Sequence, residues 1–420
     1  MVKRLTTRYH PIDRENVLIQ NGHFSRRHVL TAFLICGAIL FAWSQKPPGR
    51  TSPGAFQGVY LTSWSAGSPA RIRRVIELAQ AGRINTVVID IKDATGYVAY
   101  ATTAPDAARY GARRVTIRDV DSLLGRLHRE GLYVIARIVV FQDPRLALAR
   151  PELAVHQHLE APPAESDGAG AALRPAAVLW LDRKHLAWID PASREAWSYN
   201  AALAKEALSR GFDEINFDYV RFPSDGDLKQ MEFPVWDGAT PKREVIRRFF
   251  AYVRREMPDA VLSADLFGLS TVNHDDLGIG QVIEDAYPFF DYVCPMVYPS
   301  HFAAGFLGFP NPAEQPYRVV NYSLGSAGKR LRNARPVRGR LRPWLQDFNI
   351  GARYDKDRVE AQIKAVQDAL GDAYAGYLLW SPSNNYTEEA LAVIPRSSSP
   401  IPGPAAAPDY AAPSSRSRSR

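Results

Sequence analysis

The sequence predicts an α/β protein built as a closed (β/α)8 barrel, also called a TIM barrel. Between residues 56 and 395 a short apolar, β-branched segment is followed repeatedly by a polar turn and then by residues with helical spacing, which is typical of parallel βα units. The segment recurs eight times, and eight strands close a barrel. An open doubly wound sheet is the alternative architecture, but the first strand is not followed by the glycine-rich turn of that fold.

The eight predicted strands are short and rich in β-branched or aromatic residues. They are Gly58–Trp64, Thr86–Lys92, Tyr133–Phe141, Glu214–Phe222, Val261–Phe267, Tyr292–Pro299, Arg342–Phe348 and Gly376–Ser381. Amphipathic helices are predicted between them, for example over Pro69–Ala81 and over Ser193–Arg210, which ends at Gly211. Residues 151–189 are too long for a simple connection, so we expect an insertion on the barrel rim, with Val178–Ile189 as a hairpin.

The N-terminal 55 residues predict an export signal that stays in the membrane. Residues 1–28 are basic, and Val29–Trp43 is an uncharged apolar run of 15 residues, short for a membrane span but suited to a signal h-region. The segment Ser25–Leu30 resembles a twin-arginine export motif. No clear cleavage site follows, so we expect a single-pass anchor in the cell membrane, with residues 44–55 as the linker to an extracytoplasmic barrel. A cleaved signal or a buried core helix is the alternative.

The basic charge of the chain lies in its two ends. The formal net charge is +8, of which residues 1–28 carry +4 and residues 396–420 carry +3, leaving only +1 for everything between them. Residues 396–420 are rich in Pro, Ala, Ser and Arg, which predicts a disordered tail. The barrel has no basic stripe with interleaved aromatic residues, so we expect no binding of nucleic acid.

The sequence offers no pattern for a cofactor or a metal. Cys36 lies in the apolar run and Cys294 in a predicted strand, so a disulfide between them is implausible. His185, His274 and His301 are scattered among predicted loops. No phosphate-binding loop, nucleophile elbow or paired-histidine helix is present. We therefore expect no cofactor and no metal; the oligomeric state is left open.

Two predicted strands place aspartates at the mouth of the barrel, where the active sites of such barrels form. Strand alternation turns Asn216 and Asp218 of the fourth strand, and Ser263 and Asp265 of the fifth, toward the lumen. Carboxylates on neighbouring strands can divide into one protonated and one ionised group, which acid-assisted cleavage of an acetal requires. Asp218 and Asp265 are therefore the candidate catalytic residues.

Other lumenal residues are candidates for contacting a sugar substrate. The same alternation turns charged residues of the second and third strands inward, and the last three strands end in aromatic and amide side chains suited to stacking on a pyranose and hydrogen bonding with it. A structural role is the alternative, in which the two aspartates pair with Arg137 or Arg221. The candidate substrate-binding residues are Asp90, Lys92, Arg137, Asn216, Arg221, Tyr298, Gln346 and Trp380.

Several segments together resemble a glycosyl hydrolase-like (β/α)8 barrel family that was formerly a domain of unknown function and is related to the glycoside hydrolase TIM barrels. The resemblance runs from about residue 56 to 394 and lies in the strand at 58–64, VVIDIKD at 87–93, IARIVVFQD at 135–143, GFDEINFDYVRFPSDG at 211–226, LSADLFG at 262–268, VCPMVYPSHF, RPWLQDF at 342–348 and YLLWSPSN. It implies Asp218 as the nucleophile or key carboxylate, by similarity to amylase-type enzymes, and Asp265 near the position of the acid.

These observations predict an enzyme that hydrolyses O-glycosidic bonds of an extracytoplasmic or cell-envelope polysaccharide or oligosaccharide by paired carboxylates. A barrel that binds carbohydrate or acts as an envelope scaffold without catalysis is the alternative, and it would use the same aromatic mouth. A deacetylase or other metal-assisted hydrolase is a third hypothesis, which would need three ligands at one point.

Overall fold

Eight parallel strands close into a barrel in the computed structural model, which describes residues 53–158 and 178–394. Each strand pairs with the next in the sequence, and the eighth pairs with the first. The strands are β1 (Phe56–Leu61), β2 (Thr86–Lys92), β3 (Tyr133–Val139), β4 (Glu214–Asp218), β5 (Leu262–Phe267), β6 (Tyr292–Met296), β7 (Arg340–Leu341 and Trp344–Gln346) and β8 (Gly376–Trp380). The predicted closed parallel barrel is therefore confirmed.

Helices cover the outside of the barrel. They are α1 (Ser63–Ala66), α2 (Pro69–Gln80), α3 (Pro105–Arg109), α4 (Val120–Arg129), α5 (Pro144–Ala149), α6 (Arg194–Arg210), α7 (Lys242–Glu256), α8 (Ile283–Ala286), α9 (Pro316–Asn333) and α10 (Lys356–Leu370). Among the described residues, the connection after β5 has only the four-residue α8, and β8 is followed by the short 3-10 turn Glu388–Ala390. The barrel thus departs from eight equal βα units.

Helix α6 shows how local sequence sets the ends of an element. The Ser193 hydroxyl accepts a hydrogen bond from the Ala196 amide at the start of the helix, and Gly211 ends it with a φ of 108°. Both features satisfy backbone groups that a helix end leaves without partners. The predicted bounds of this helix match the structure within one residue.

Most strands end earlier at the mouth than the sequence predicts. The fourth was expected to reach Phe222 but ends at Asp218, because Tyr219 adopts a left-handed conformation with a φ of 53°. The seventh is interrupted between its two segments at Pro343, which has no amide hydrogen for the sheet. The polar residues after these points therefore lie on loops above the barrel.

The rim insertion is described in part. Leu181 and Ala187 form an antiparallel bridge, and the Asp182 carboxylate accepts hydrogen bonds from the Leu186 amide at 3.0 Å and the Trp188 indole at 2.9 Å. His156–Gln157 pairs with Met231–Glu232 as a small ribbon. A buried carboxylate thus holds residues 178–189 in a compact turn.

The floor of the barrel is closed by an ion pair among aromatic rings. Arg342 and Glu214 are both fully buried and bonded to each other, and the guanidinium lies 4.4 Å from the ring centre of Phe56 and 4.3 Å from that of Tyr292. A second, larger apolar layer packs between the strands and the helices. The lumen is consequently solid at its floor, and a ligand can enter it only from the mouth.

The N-terminal predictions and the tail lie outside the described residues. This applies to the basic segment 1–28, the apolar run 29–43, most of the linker 44–55 and residues 396–420. In residues 53–158 and 178–394, no helix is long and apolar enough to cross a membrane. The anchor and the disordered tail remain predictions.

Removing one member of the floor ion pair should destabilise the fold strongly. We expect Arg342→Met to lower the free energy of unfolding by about 3–5 kcal/mol, because Glu214 is left buried without its partner. The double substitution Glu214→Met with Arg342→Met should recover a large part of that loss, since no unpaired charge is left. Urea unfolding of the full chain followed by circular dichroism measures both.

The control is Lys364→Met, which breaks the exposed pair of Lys364 with Asp368 and should leave the free energy of unfolding nearly unchanged, because solvent screens an exposed ion pair. A double variant as unstable as Arg342→Met would contradict the assigned role of the floor pair.

Candidate active site at the barrel mouth

Three aspartates surround one guanidinium at the carboxyl end of the lumen. Asp90 of β2, Arg137 of β3, Asp218 of β4 and Asp265 of β5 come from four consecutive strands. Strand alternation turns all four inward, and the register places Asp90 beside Arg137. All four side chains are buried, so their charges interact through a medium of low polarity.

Asp218 ends its strand and is held in place from two sides. Arg137 Nη2 donates a hydrogen bond to Asp218 Oδ2 at 2.5 Å, and the Tyr219 amide donates to Oδ1 at 2.5 Å. Tyr219 itself is left-handed, so the chain leaves the strand directly after this contact. Asp218 is therefore a fixed carboxylate beside a permanent cation.

Asp265 lies deeper and lacks a full set of partners. Its Oδ1 accepts hydrogen bonds from the Trp344 indole at 2.7 Å and from Asn216 at 2.8 Å. Its Oδ2 has no hydrogen-bond partner among the described residues and lies 3.6 Å from Arg137 Nε. Burial, and next the charge of Asp218, raise the pKa of Asp265 to about 8. At neutral pH this carboxyl therefore carries a proton.

Asp90 is the third aspartate of the cluster, and its hydrogen-bond partners are other protein side chains. It accepts hydrogen bonds from the Tyr60 hydroxyl and from Arg137 Nη1, both at 2.5 Å. The Tyr60 ring stacks on Trp380 with centroids 3.9 Å apart, and Arg137 lies 5.0 Å from the Trp380 ring centre. Burial raises the pKa of Asp90 as well. One face of the expected sugar platform, Trp380, is thus already covered by Tyr60.

The prediction that Lys92 faces the lumen is wrong. The register shifts between Asp90 and Lys92, so a bulge breaks the alternation on which the prediction rested. The Lys92 ammonium instead contacts Asp143 at 2.8 Å, the Val139 carbonyl at 2.5 Å and Asn200 of α6 at 3.2 Å. Lys92 is fully buried and ties the strand to a helix, so it is not placed to bind a sugar.

Two predicted substrate-binding amides are engaged with the protein. Gln346 accepts a hydrogen bond from the Ser300 amide at 3.1 Å and donates to the Phe348 carbonyl at 2.9 Å, so it fixes loops at the mouth. Asn216 donates to Ser263 at 3.0 Å as well as to Asp265. Both are fully buried, so in this structure they hold other protein groups, and their contact with a substrate stays a prediction.

Tyr298 and Arg221 lie near the aspartates without pairing with them. Burial raises the pKa of Tyr298, and the charges of Asp265 and Asp218 raise it further. Arg221 follows β4 and forms no ion pair with a described residue; its guanidinium packs on aromatic rings. Of the two arginines named in the alternative prediction, Arg137 pairs with the aspartates and Arg221 forms no ion pair with them.

Strand alternation would also have predicted two important residues that were not singled out. Tyr60 occupies an inward position of β1 and binds Asp90, and Trp344 occupies one of β7 and binds Asp265. Neither was named as a site residue, because an aromatic residue in a strand is usually explained by packing in the core. Their hydrogen bonds depend on residues 30 and 79 positions away.

The mouth is largely filled by side chains. Asp218 is 4 % exposed and Asp265 is 1 % exposed. Two surface cavities, of about 180 and 280 Å³, are lined by other residues. Partly exposed residues at the mouth are Tyr219, Phe267, Met296, Phe348 and Trp380. A ligand that reaches the aspartates must therefore displace some of these side chains.

No group of three or more His, Cys, Asp or Glu in the described part of the chain is arranged to hold a metal ion. The three aspartates converge on a guanidinium instead. Their arrangement suits proton transfer and electrostatic stabilisation by carboxyl groups.

Comparison with known proteins gives one family match over most of the chain. The model of a family described as "Putative glycosyl hydrolase domain" matches residues 58–386. No curated protein sequence matches the chain.

Three solved structures are similar to this chain over parts of its length. A hypothetical protein from Ruminiclostridium thermocellum ATCC 27405 is 37 % identical over 52 % of this chain and 98 % of its own, with a TM-score of 0.42. The glycoside hydrolase domain of PgaB (BpsB) from Bordetella bronchiseptica is 13 % identical over 81 % of this chain and 100 % of its own, with a TM-score of 0.53. At that identity the similarity to PgaB shows a common fold and nothing more. An α-galactosidase from Thermus thermophilus, solved with stachyose, is 16 % identical over 83 % of this chain and 67 % of its own, with a TM-score of 0.46.

The proton on Asp265 should appear in the pH dependence of stability. The pKa of Asp265 is about 8 in the folded protein and about 4 in an unfolded chain. Between these values the folded state binds one proton more, so this residue lowers the free energy of unfolding as pH rises, by on the order of 1 kcal/mol per pH unit. Asp265→Asn has no such titration. The free energy of unfolding of this variant, relative to that of the native chain, should therefore increase from pH 5 to pH 8.

Urea unfolding at several pH values measures this difference. Asp372→Asn, at an exposed position before β8, is the matched control and should follow the native chain at every pH. Parallel curves for Asp265→Asn and the native chain would show that Asp265 has no raised pKa.

Proposed function

The chain belongs to the family described as putative glycosyl hydrolase domains, and from that membership we propose that it cleaves O-glycosidic bonds with Asp218 and Asp265 as the catalytic pair. The observation that carries this proposal is the pairing of two buried carboxyl groups on adjacent strands, of which Asp218 is bonded to Arg137 and Asp265 has an oxygen without a partner among the described residues. Asp265 holds a proton at neutral pH, while Asp218 on the adjacent strand is bonded to a cation. Acetal cleavage needs one protonated and one ionised carboxyl group in this way.

In the proposed reaction Asp265 protonates the glycosidic oxygen as the bond to the leaving sugar breaks. Asp218 stabilises the positive charge that develops at the anomeric carbon, in one of two ways. Either it attacks that carbon, and water deprotonated by Asp265 then breaks the glycosyl-enzyme bond and frees Asp218, or it deprotonates a water molecule that attacks the carbon directly. Arg137 acts through the aspartates: it orients Asp218 by a hydrogen bond and lies 3.6 Å from Asp265. Because Oδ2 of Asp265 has no partner among the described residues, its proton is free to be transferred.

The surroundings of the pair favour this chemistry. The aspartates are nearly fully buried, which strengthens their electrostatic effect on a developing charge. Trp380 has one face covered by Tyr60 and remains partly exposed at the mouth, where it offers an apolar surface to a sugar ring. Substrate entry in this proposal moves the mouth side chains aside and brings the scissile bond to Asp218.

Substitution of the two aspartates should have different effects. We expect Asp218→Asn to abolish turnover of every glycoside, with a loss of about a thousandfold or more, because no ionised carboxylate remains beside the anomeric carbon. Asp265→Asn should abolish cleavage of natural glycans but leave cleavage of dinitrophenyl glycosides, whose leaving group needs no proton. Release of reducing sugar and of dinitrophenol measures the two activities.

Asp372→Asn serves as the control in both assays, because Asp372 is exposed and remote from the mouth. Unchanged turnover in Asp218→Asn, with unchanged folding by circular dichroism, would remove Asp218 from the mechanism.

A barrel that binds carbohydrate without cleaving it is the second candidate function. It is favoured by the mutual satisfaction of Asp90, Arg137 and Asp218, which is also how a purely structural ion cluster looks. In that case Asp218→Asn would leave the glycan affinity unchanged, and neither the native chain nor the variant would release sugar. Screening the chain against envelope and exopolysaccharide glycans for both binding and turnover separates the two functions.

We further propose that residues 29–43 anchor the chain in the cell membrane and keep the barrel outside the cytoplasm. The basis is the uncharged apolar run preceded by Arg26 and Arg27. The full chain should sediment with membranes, and protease added outside the cell membrane should digest the barrel. Deletion of residues 1–43 should release the protein into the soluble fraction. A full-length chain found in the cytosol would contradict the anchor.

A further inference from the structure

Arg221 differs from the other buried arginines in its lack of a carboxylate partner. The described part of the chain contains four buried arginines, Arg137, Arg221, Arg330 and Arg342. The other three each form an ion pair with an aspartate or glutamate. Arg221 is 7 % exposed and makes one hydrogen bond, from Nη1 to the carbonyl of Phe222 at 3.1 Å. Its remaining N–H groups have no hydrogen-bond partner among the described residues.

The position of Arg221 is the mouth of the candidate site. It lies three residues beyond Asp218, on the loop that leaves β4. Its guanidinium is 4.7 Å from the ring centre of Phe267, which ends β5 two residues beyond Asp265. Trp188 of the rim turn, at 4.7 Å, and Tyr219, at 5.0 Å, complete an aromatic enclosure. The cation therefore lies among residues that follow the two catalytic strands.

A buried cation in this setting favours an anionic ligand. The rings attract a guanidinium only weakly, and burial lowers the pKa of Arg221. A guanidinium with free N–H groups binds a carboxylate through two parallel hydrogen bonds. Arg137 cannot take that role, because Asp90 and Asp218 already occupy it. An acidic sugar at the mouth would be repelled by these aspartates. Arg221 is the cation at the mouth that remains available to offset this repulsion.

We propose that Arg221 binds a carboxylate of the substrate, so that the glycan cleaved by this barrel is acidic and carries a uronic acid next to the scissile bond. This inference rests on the proposed function and specifies its substrate class. It assigns the aromatic enclosure of Trp188, Tyr219 and Phe267 to the subsite of the acidic sugar, whose ring stacks beside the guanidinium.

The test compares acidic oligosaccharides with their carboxyl-reduced counterparts, which have the same linkage and stereochemistry without the charge. The probes are oligomers of galacturonate, alginate, hyaluronan and glucuronan, each in both forms. Binding is measured by isothermal titration at pH 7 with the full chain carrying Asp265→Asn. That substitution prevents turnover and keeps the charge of the site, because Asp265 is already neutral at this pH.

We expect at least one acidic oligomer to bind about tenfold or more tightly than its reduced form. Arg221→Gln should reduce that ratio to about one without weakening the reduced form, and Arg221→Lys should retain part of the preference. Arg255→Gln is the matched control: Arg255 also packs on a tyrosine ring, at 5.3 Å from Tyr252, but it is exposed at the end of α7 that faces away from the mouth. It should leave the ratio unchanged.

Three results would overturn the inference: equal affinity for acidic and reduced forms, a preference that persists in Arg221→Gln, or no binding of any acidic oligomer at millimolar concentration. Circular dichroism of each variant checks the fold, and Arg221→Lys keeps the test valid if Arg221→Gln fails to fold. Turnover of a neutral glycan by the native chain, with no acidic preference, would reject this inference and retain the hydrolase. Binding of acidic oligomers without turnover of any glycan would retain the binding role of Arg221 and reject the hydrolase.

Discussion

The contact of Arg137 with three aspartates is the interaction on which the candidate site depends. One guanidinium is bonded to Asp90 and Asp218 and lies near Asp265. A single guanidinium cannot balance three buried carboxylates, so at least one of the acids is expected to stay protonated. Asp265 takes that role because it is the most deeply buried and has an oxygen without a partner. The excess of acid over base thus produces the protonated group that the proposed reaction uses.

The two ends of the lumen illustrate the difference between a structural and a functional ion cluster. At the floor, Glu214 and Arg342 balance one to one and are enclosed by aromatic rings, which suits a closed, rigid base. At the mouth the charges are unequal, and Arg221 is left without a carboxylate in the described residues. Imbalance of this kind costs stability in the absence of a ligand, so it is expected where binding or chemistry takes place.

Irregular backbone at the strand ends positions these groups. The left-handed Tyr219 ends β4, and its amide donates a hydrogen bond to Asp218. The bulge before Lys92 moves that cation out of the lumen and into contact with Asp143, which prevents it from balancing the aspartates at the mouth. Regular strands would therefore have produced a more neutral site, with a second cation beside the three acids.

The barrel, the inward direction of Asp218 and Asp265, and the family can all be predicted from the sequence, because strand alternation and the βα rhythm are properties of neighbouring residues. The partner of each side chain becomes known only from the folded chain. Gln346 and Asn216 are bonded to other protein groups, Trp344 and Tyr60 bind the aspartates, and Arg221 has no carboxylate in ion-pair contact among the described residues. Hydrogen bonds and burial depend on residues far apart in the chain, and a one-residue bulge changes the face of every residue after it.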